Sequence, residues 1–252
     1  MTRDALFIRG RQLALLLILL AGWHFATAWQ WLPGFFFGSP LAVGRQLLAW
    51  FGDGSIYPHL ATTLAETALA FLLGTSAALL AGLWLGIDRL AAAIADSYIK
   101  AANVMPRVIL APIFSLWFGL GIWSKVALGA SLVFFVVFFN VYQGVRETPP
   151  EWIANLRMLG ASRRQLVWRL HVPAAAGWLF SSLHSAVGMA FVGAVVGEYL
   201  GSARGIGYLI LQAEGVFDIN AVLAGIVLLT VCALLLDGAL SRLEGYCRRW
   251  RA

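Results

Sequence analysis

The chain has 252 residues; 61% are hydrophobic, only 12% are charged, and Lys plus Arg outnumber Asp plus Glu by 18 to 12. Soluble domains are about one quarter charged, so a water-soluble fold is excluded and lipid is indicated as the solvent. The net charge of +6 does not mark a nucleic-acid binder, because the basic residues are split among loops rather than gathered on one face.

In chain order, residues 12–44, 67–87, 108–124, 126–145, 172–197 and 219–236 contain no Asp, Glu, Lys or Arg. A hydrocarbon core of ~30 Å is crossed by about 20 residues of helix. The backbone has no water to bond there, so the spans are helical, and the alternation of a membrane barrel is absent. Six spans are predicted, at about 12–31, 59–87, 91–118, 123–145, 173–200 and 219–243. The third is interrupted by Pro106 and Pro112, and a short interfacial helix covers 41–52.

Arg3, Arg9 and Arg11 precede the first span. Arg89 and Lys100 follow the second, five arginines from Arg146 to Arg169 follow the fourth, and four from Arg242 to Arg251 follow the sixth. Arg45, Lys125 and Arg204 fall on the other side. By the positive-inside rule both termini are cytoplasmic. Ala26, Thr27 and Ala28 resemble a signal cleavage site, but the uncharged run continues through Trp29, Trp31 and 35–37, so a retained first helix is expected. Cys232 and Cys247 offer neither a disulfide framework nor a metal spacing.

In the fifth span Ala186, Ala190, Gly193, Ala194, Gly197 and Gly201 recur every three or four residues and form one small face. Such faces let helices approach closely in lipid, within one chain, at a dimer contact or along a moving pathway.

Residues 148–173 differ from everything around them. Thr148 to Glu151 reads as a capping box with proline at the first helical position. Trp152, Leu156 and Leu159 then share a face, and Gly160 stops the helix. Ser162 and Gln165 form a second box, Leu166, Val167 and Leu170 an apolar side, and Pro173 begins the fifth span. Two capped amphipathic helices at a glycine joint suit a rigid knob that fits a groove on another protein. Interfacial helices resting on lipid would explain the charge but not the caps.

This segment resembles the cytoplasmic loop of binding-protein-dependent ABC importer permeases. In their pattern Glu-Ala-Ala is followed by three residues, Gly, nine residues, Ile, one residue and Leu-Pro. Gly160, Leu170, Val172 and Pro173 match it, whereas Ala154, Asn155 and Leu156 replace the Glu-Ala-Ala. The likeness runs from Ser39 to the C-terminus and is greatest to the nitrate, sulfonate and taurine branch. It takes in residues 116–119, Asn140, Tyr142, residues 144–146, Gly197 and Glu198, residues 205–210, and Asp237 with Leu243 and Glu244. Glu66 and Ala70 depart from the branch, which often has Arg and Gly there.

The resemblance implies an all-α integral membrane protein of six transmembrane helices with the type I importer permease (MetI-like) fold, in the bacterial inner membrane. It implies that Glu151, Trp152, Ala154, Leu156, Leu159, Gly160, Ala161, Ser162 and Pro173 belong to the loop that couples to an ATPase. The implied partners are a second permease subunit, two cytoplasmic ATP-binding subunits that carry ATP and Mg, and a periplasmic or lipid-anchored binding protein. The chain has no phosphate-binding Gly-x-x-x-x-Gly-Lys-Ser/Thr of its own, so no enzyme activity and no cofactor is expected in it. The cargo would be a small solute such as a sulfonate, taurine, nitrate or a pyrimidine vitamin precursor.

Several polar residues within apolar stretches need a role. Arg107 either contacts an anionic or polar substrate in the pathway, or snorkels to phosphates or pairs with a carboxylate. Asn140 is a second pathway candidate, with an interhelical hydrogen bond as the plainer reading. Glu198 either meets the binding protein on the periplasmic side or braces the loop 201–207. Glu66 reads as a carboxylate at headgroup level, and Phe134, Phe135, Phe138 and Phe139 as packing. Two other functions compete: an intramembrane hydrolase using Ser131 and His184, for which no orienting third group is evident, and an ion-coupled transporter, for which no inverted repeat is found.

Overall fold

The computed structural model describes residues 3–248, and these form helices and connecting turns. Helix α1 is Arg3–Ala28, α2 is the turn Gly34–Phe37 and α3 is Pro40–Gly52. Ser39 starts α3, accepting the Ala42 amide at 3.3 Å, with Pro40 at its first position. The first helix thus begins before residue 12 and stops short of 31. It ends at Ala28 because Gln30 takes a left-handed φ of 58°, and it starts earlier because a helix does not end where the membrane does.

Helix α4, Ile56–Ile87, ends at Asp88, which also starts α5, Arg89–Val104. Asp88 Oδ1 accepts the amides of Leu90 and Ala91 at 3.0 and 3.1 Å. The expected third span is broken more sharply than an interruption: after Met105 and Pro106 comes a 3₁₀ turn, Arg107–Leu110, and α6, Ala111–Phe118, set at 87° to α5. A residue before proline is pushed out of the helical region, and Met105 sits at φ −62° and ψ 129°. Among the described residues five helices are therefore long and apolar enough to cross a membrane, and six if the bent pair α5–α6 counts as one span.

Helix α7 is Ile122–Arg146, α8 is Pro150–Met158 and α9 is Arg163–Leu166. A π turn, Val167–His171, joins α9 to α10, Val172–Leu200; α11 is Ile206–Gly215 and α12 is Ile219–Arg248. The second short helix of the loop is thus continuous with the fifth span rather than separate from it. Both Cys247 and the residues beyond Arg248 lie outside the described side chains.

Helices α4, α7 and α10 form the centre. Along α4, a methyl group added to Gly74, Gly82 or Gly86 would come within 2.7–2.8 Å of Val133, Val141 or Val145 of α7. On α10, one added to Gly193 would sit 2.3 Å from the Gly129 Cα. The small face of α10 is buried here, with Ala186, Ala190 and Ala194 wholly enclosed. Its use is close packing within the chain, the arrangement expected where apolar burial gives no advantage over lipid.

Gly193→Val should destabilise the detergent-solubilised chain by about 1–3 kcal/mol, as overpacking does. Gly188, on the same helix but facing open space, should accept Ala with an unchanged or higher thermal midpoint.

Candidate functional site

The knob predicted in the loop is present. The Ala161 amide bonds the Leu156 carbonyl at 2.9 Å and the Gly160 amide that of Arg157 at 3.0 Å, with Gly160 at φ 78°. That pairing is a Schellman stop, which glycine accepts because it lacks a Cβ. Ser162 Oγ accepts the Gln165 amide at 3.3 Å, and Gln165 Oε1 accepts the Ser162 amide at 2.7 Å. The first box is not made. Pro149 occupies the cap position without a side-chain bond, and Thr148 Oγ1 is buried and has no partner among the described residues. Proline at the first helical position lacks an amide anyway, which reduces the need for a cap.

The tip is apolar and open: Trp152 is 59% exposed, Met158 80% and Leu159 83%. Leu156 is half-buried on the same face, and Glu151 and Ser162 are exposed beside it. The opposite face, with Ile153, Ala154 and Arg157, turns to a cavity behind the knob, and Ala161 lies at its edge. Pro173 opens α10, just after the buried Leu170 and His171.

At the far end of the bundle lies a polar centre that the sequence did not reveal. Glu198, at the end of α10, is wholly buried. Its Oε1 accepts the Thr63 hydroxyl at 2.6 Å, and its Oε2 accepts the Gly207 amide at 2.8 Å. Thr63 Oγ1 in turn accepts the Ile206 amide at 3.0 Å. His59 Nδ1 stands 3.1 Å from both the amide and the carbonyl of Gly205 and serves one of them according to its tautomer. Gly205 has φ 113°, and a Cβ there would fall 2.1–2.5 Å from the Glu198 carboxylate. The carboxylate thus fixes the turn into α11, which is the bracing role, and its burial takes it out of reach of a docking protein.

Glu66 lies in the same centre and is enclosed by protein rather than solvated. It is 1% exposed, interacts with Glu198, and leaves Oε2 without a partner among the described residues. Lys125 is fully buried as well, although the charge count set it with Arg45 and Arg204 on the side away from the termini. Its Nζ donates to the carbonyls of Leu120 and Gly121 at 2.6 and 3.1 Å, tying down the α6–α7 turn, and its charge acts on both Glu66 and Glu198. A positive-inside count reads such a lysine as loop charge. Glu66, seven residues after His59 and three after Thr63, carries no distinctive spacing either.

The remaining candidates separate. Arg107 Nη2 donates to the Asn103 carbonyl and side chain at 3.1 and 2.9 Å, and its guanidinium lies 4.1 Å over the Phe135 ring. It forms no ion pair among the described residues. Asn140 Nδ2 donates to the Val136 carbonyl of its own helix at 2.8 Å, so the expected interhelical bond is replaced by an intrahelical one. Ser131 Oγ donates to the Leu128 carbonyl, while His184 Nδ1 faces Asp237 at 2.8 Å across α10 and α12. No cluster of His, Cys, Asp and Glu suited to a metal ion occurs among the described residues.

The profile of the binding-protein-dependent transport system inner membrane component family matches residues 70–245. The chain belongs to this family. The formylaminopyrimidine transport permease protein of Halalkalibacterium halodurans is 32% identical over 213 residues, 84% of this chain and 85% of the relative. The taurine transport system permease protein of Escherichia coli is 27% identical over 240 residues, 93% of this chain and 87% of the relative. Among solved structures, the inward-facing MetNI methionine ABC transporter matches with TM-score 0.63 and 18% identity, over 79% of this chain and 97% of that one. This permease is therefore an all-α transmembrane pathway subunit of an ATP-driven importer with the type I fold, and it is not an enzyme.

In this permease Thr63→Val would leave the Ile206 amide and one Glu198 oxygen unbonded. A cost of about 1–3 kcal/mol for each buried group is expected. The thermal midpoint should fall and hydrogen exchange at residues 205–207 should rise, whereas Thr63→Ser should keep both near the parent values.

Proposed function

We propose that α8 is the element through which ATP hydrolysis on a partner subunit drives this permease. The observation that carries the proposal is the exposed apolar tip of Trp152, Met158 and Leu159 on a helix stopped and held by two defined backbone motifs. Isolated apolar side chains on a lipid-facing wall are ordinary, but a rigid apolar knob among arginines at the bundle end is a docking feature. The arginine-rich end and both termini face the cytoplasm of the inner membrane, following the distribution of Lys and Arg.

Two permease copies enclose the pathway, two ATP-binding subunits seat the α8 knobs and carry ATP and Mg, and a binding protein delivers cargo from the periplasmic side. The ATPase-coupling loop comprises Glu151, Trp152, Ala154, Leu156, Leu159, Gly160, Ala161, Ser162 and Pro173. ATP draws the ATPases together, the docked helices move with them, and the pathway opens outward until hydrolysis resets it. Relatives named for taurine and for formylaminopyrimidine support a small sulfonate or pyrimidine cargo. Arg107, with its charge set over Phe135 in the broken α5–α6 span, and Asn140 line the route.

Leu159→Asp should cut recovery of the ATP-binding subunit with the purified permease at least tenfold while leaving the thermal midpoint unchanged. Equal recovery would remove α8 from the interface. Arg107→Leu should lower solute uptake several-fold at equal membrane abundance, and normal uptake would take Arg107 out of the pathway.

A further inference from the structure

Behind α8, on the side turned away from Trp152 and Leu159, lies a cavity of about 1070 Å³. Four elements each contribute one arginine to its lining: Arg89 from α5, Arg146 from α7, with its guanidinium 5.5 Å from the Tyr142 ring centroid, Arg157 from α8 and Arg163 from α9. The acidic residue on the wall is Asp88, whose Oδ1 is already taken by the first amides of α5. Among the described residues none of the four arginines forms an ion pair. Position 154, where the related loop pattern has glutamate, is Ala154 and lines the same space, so α8 brings no carboxylate to it.

Two more wall residues are poised without partners. Thr148 and His171 are each 8% exposed, and Thr148 Oγ1 and His171 Nδ1 have no hydrogen-bond partner among the described residues. Buried polar atoms in folded proteins are almost always bonded, so two orphans facing one cavity point to something that fills it. Arginines converging on one space repel one another unless an anion lies between them, and the guanidinium fork matches phosphate oxygens. A hydroxyl and an imidazole N–H add uncharged donors to the same oxygens.

We infer that this cavity binds a phosphate-bearing anion. Arg89, Arg146, Arg157 and Arg163 supply the charge, and Thr148 and His171 complete the donor set. The phosphate comes from one of two sources, the headgroup of an anionic phospholipid or a free phosphate compound. The site lies on the face of α8 opposite the proposed docking tip and does not depend on that reading.

The test uses the full chain, purified in neutral detergent and stripped of lipid. Inorganic pyrophosphate and short-chain phosphatidylglycerol are titrated separately, with zwitterionic phosphatidylcholine as the control, and binding is read by thermal midpoint and by native mass spectrometry. One saturable equivalent of an anionic ligand is expected. Saturation by pyrophosphate assigns a free phosphate, and saturation by phosphatidylglycerol alone assigns a headgroup. Ala154→Glu, which places a carboxylate in the wall, should weaken binding at least tenfold. Arg163→Gln, an exposed change that leaves the packing intact, should do the same and carries the test if the first variant does not fold. Failure of both ligands to saturate, or equal binding by both variants, would overturn the proposal. So would loss of ATPase recovery in both variants without anion binding in the parent, which would give this wall to the protein interface.

Discussion

A bilayer offers no water to a buried polar atom, so every donor and acceptor within the spans is closed by the protein or left at a cost. The centre around Glu198 is where this constraint is most demanding. Three ionisable side chains, Glu66, Lys125 and Glu198, are essentially removed from solvent at one place. What makes this tolerable is that the bonds of Lys125 and Glu198 go to turn backbone: the Leu120 and Gly121 carbonyls, the Gly207 amide and, through Thr63, the Ile206 amide. Non-helical turns at both the α6–α7 and α10–α11 junctions are thereby held against α4. Lys125 and Glu198 are the means by which irregular backbone survives at this end of the bundle.

The same constraint shapes the middle. With no hydrophobic gain from leaving lipid, α4, α7 and α10 associate by close contact, glycine against valine and glycine against glycine. From that trio α10 runs without a break back through the π turn to Arg163, a helical path of 38 residues, or about 57 Å at the usual rise. One rigid element therefore joins the loop that carries α8 to the carboxylate that holds the opposite turn.

The spans were legible because apolar run length is a direct consequence of bilayer thickness. The glycine stop and the Ser162–Gln165 cap were legible because they are local backbone chemistry written in adjacent residues. The Thr148 cap was misread: the pattern fits, but the Pro149–Pro150 pair sets the backbone and turns the hydroxyl elsewhere. The polar centre escaped notice because His59, Thr63, Glu66, Lys125 and Glu198 come from three helices far apart in sequence. Only the crossing of α4, α7 and α10 brings them together. The run 205–210 did carry a signal, since its glycines at 205 and 207 are those that the Glu198 carboxylate contacts most closely.

The most direct test of the account places a photo-reactive residue at position 158, the exposed methionine at the tip of α8, in the chain within its native membrane. The account predicts adducts with an ATP-binding subunit whose yield changes when ATP is supplied. Adducts confined to lipid, with or without ATP, would contradict it.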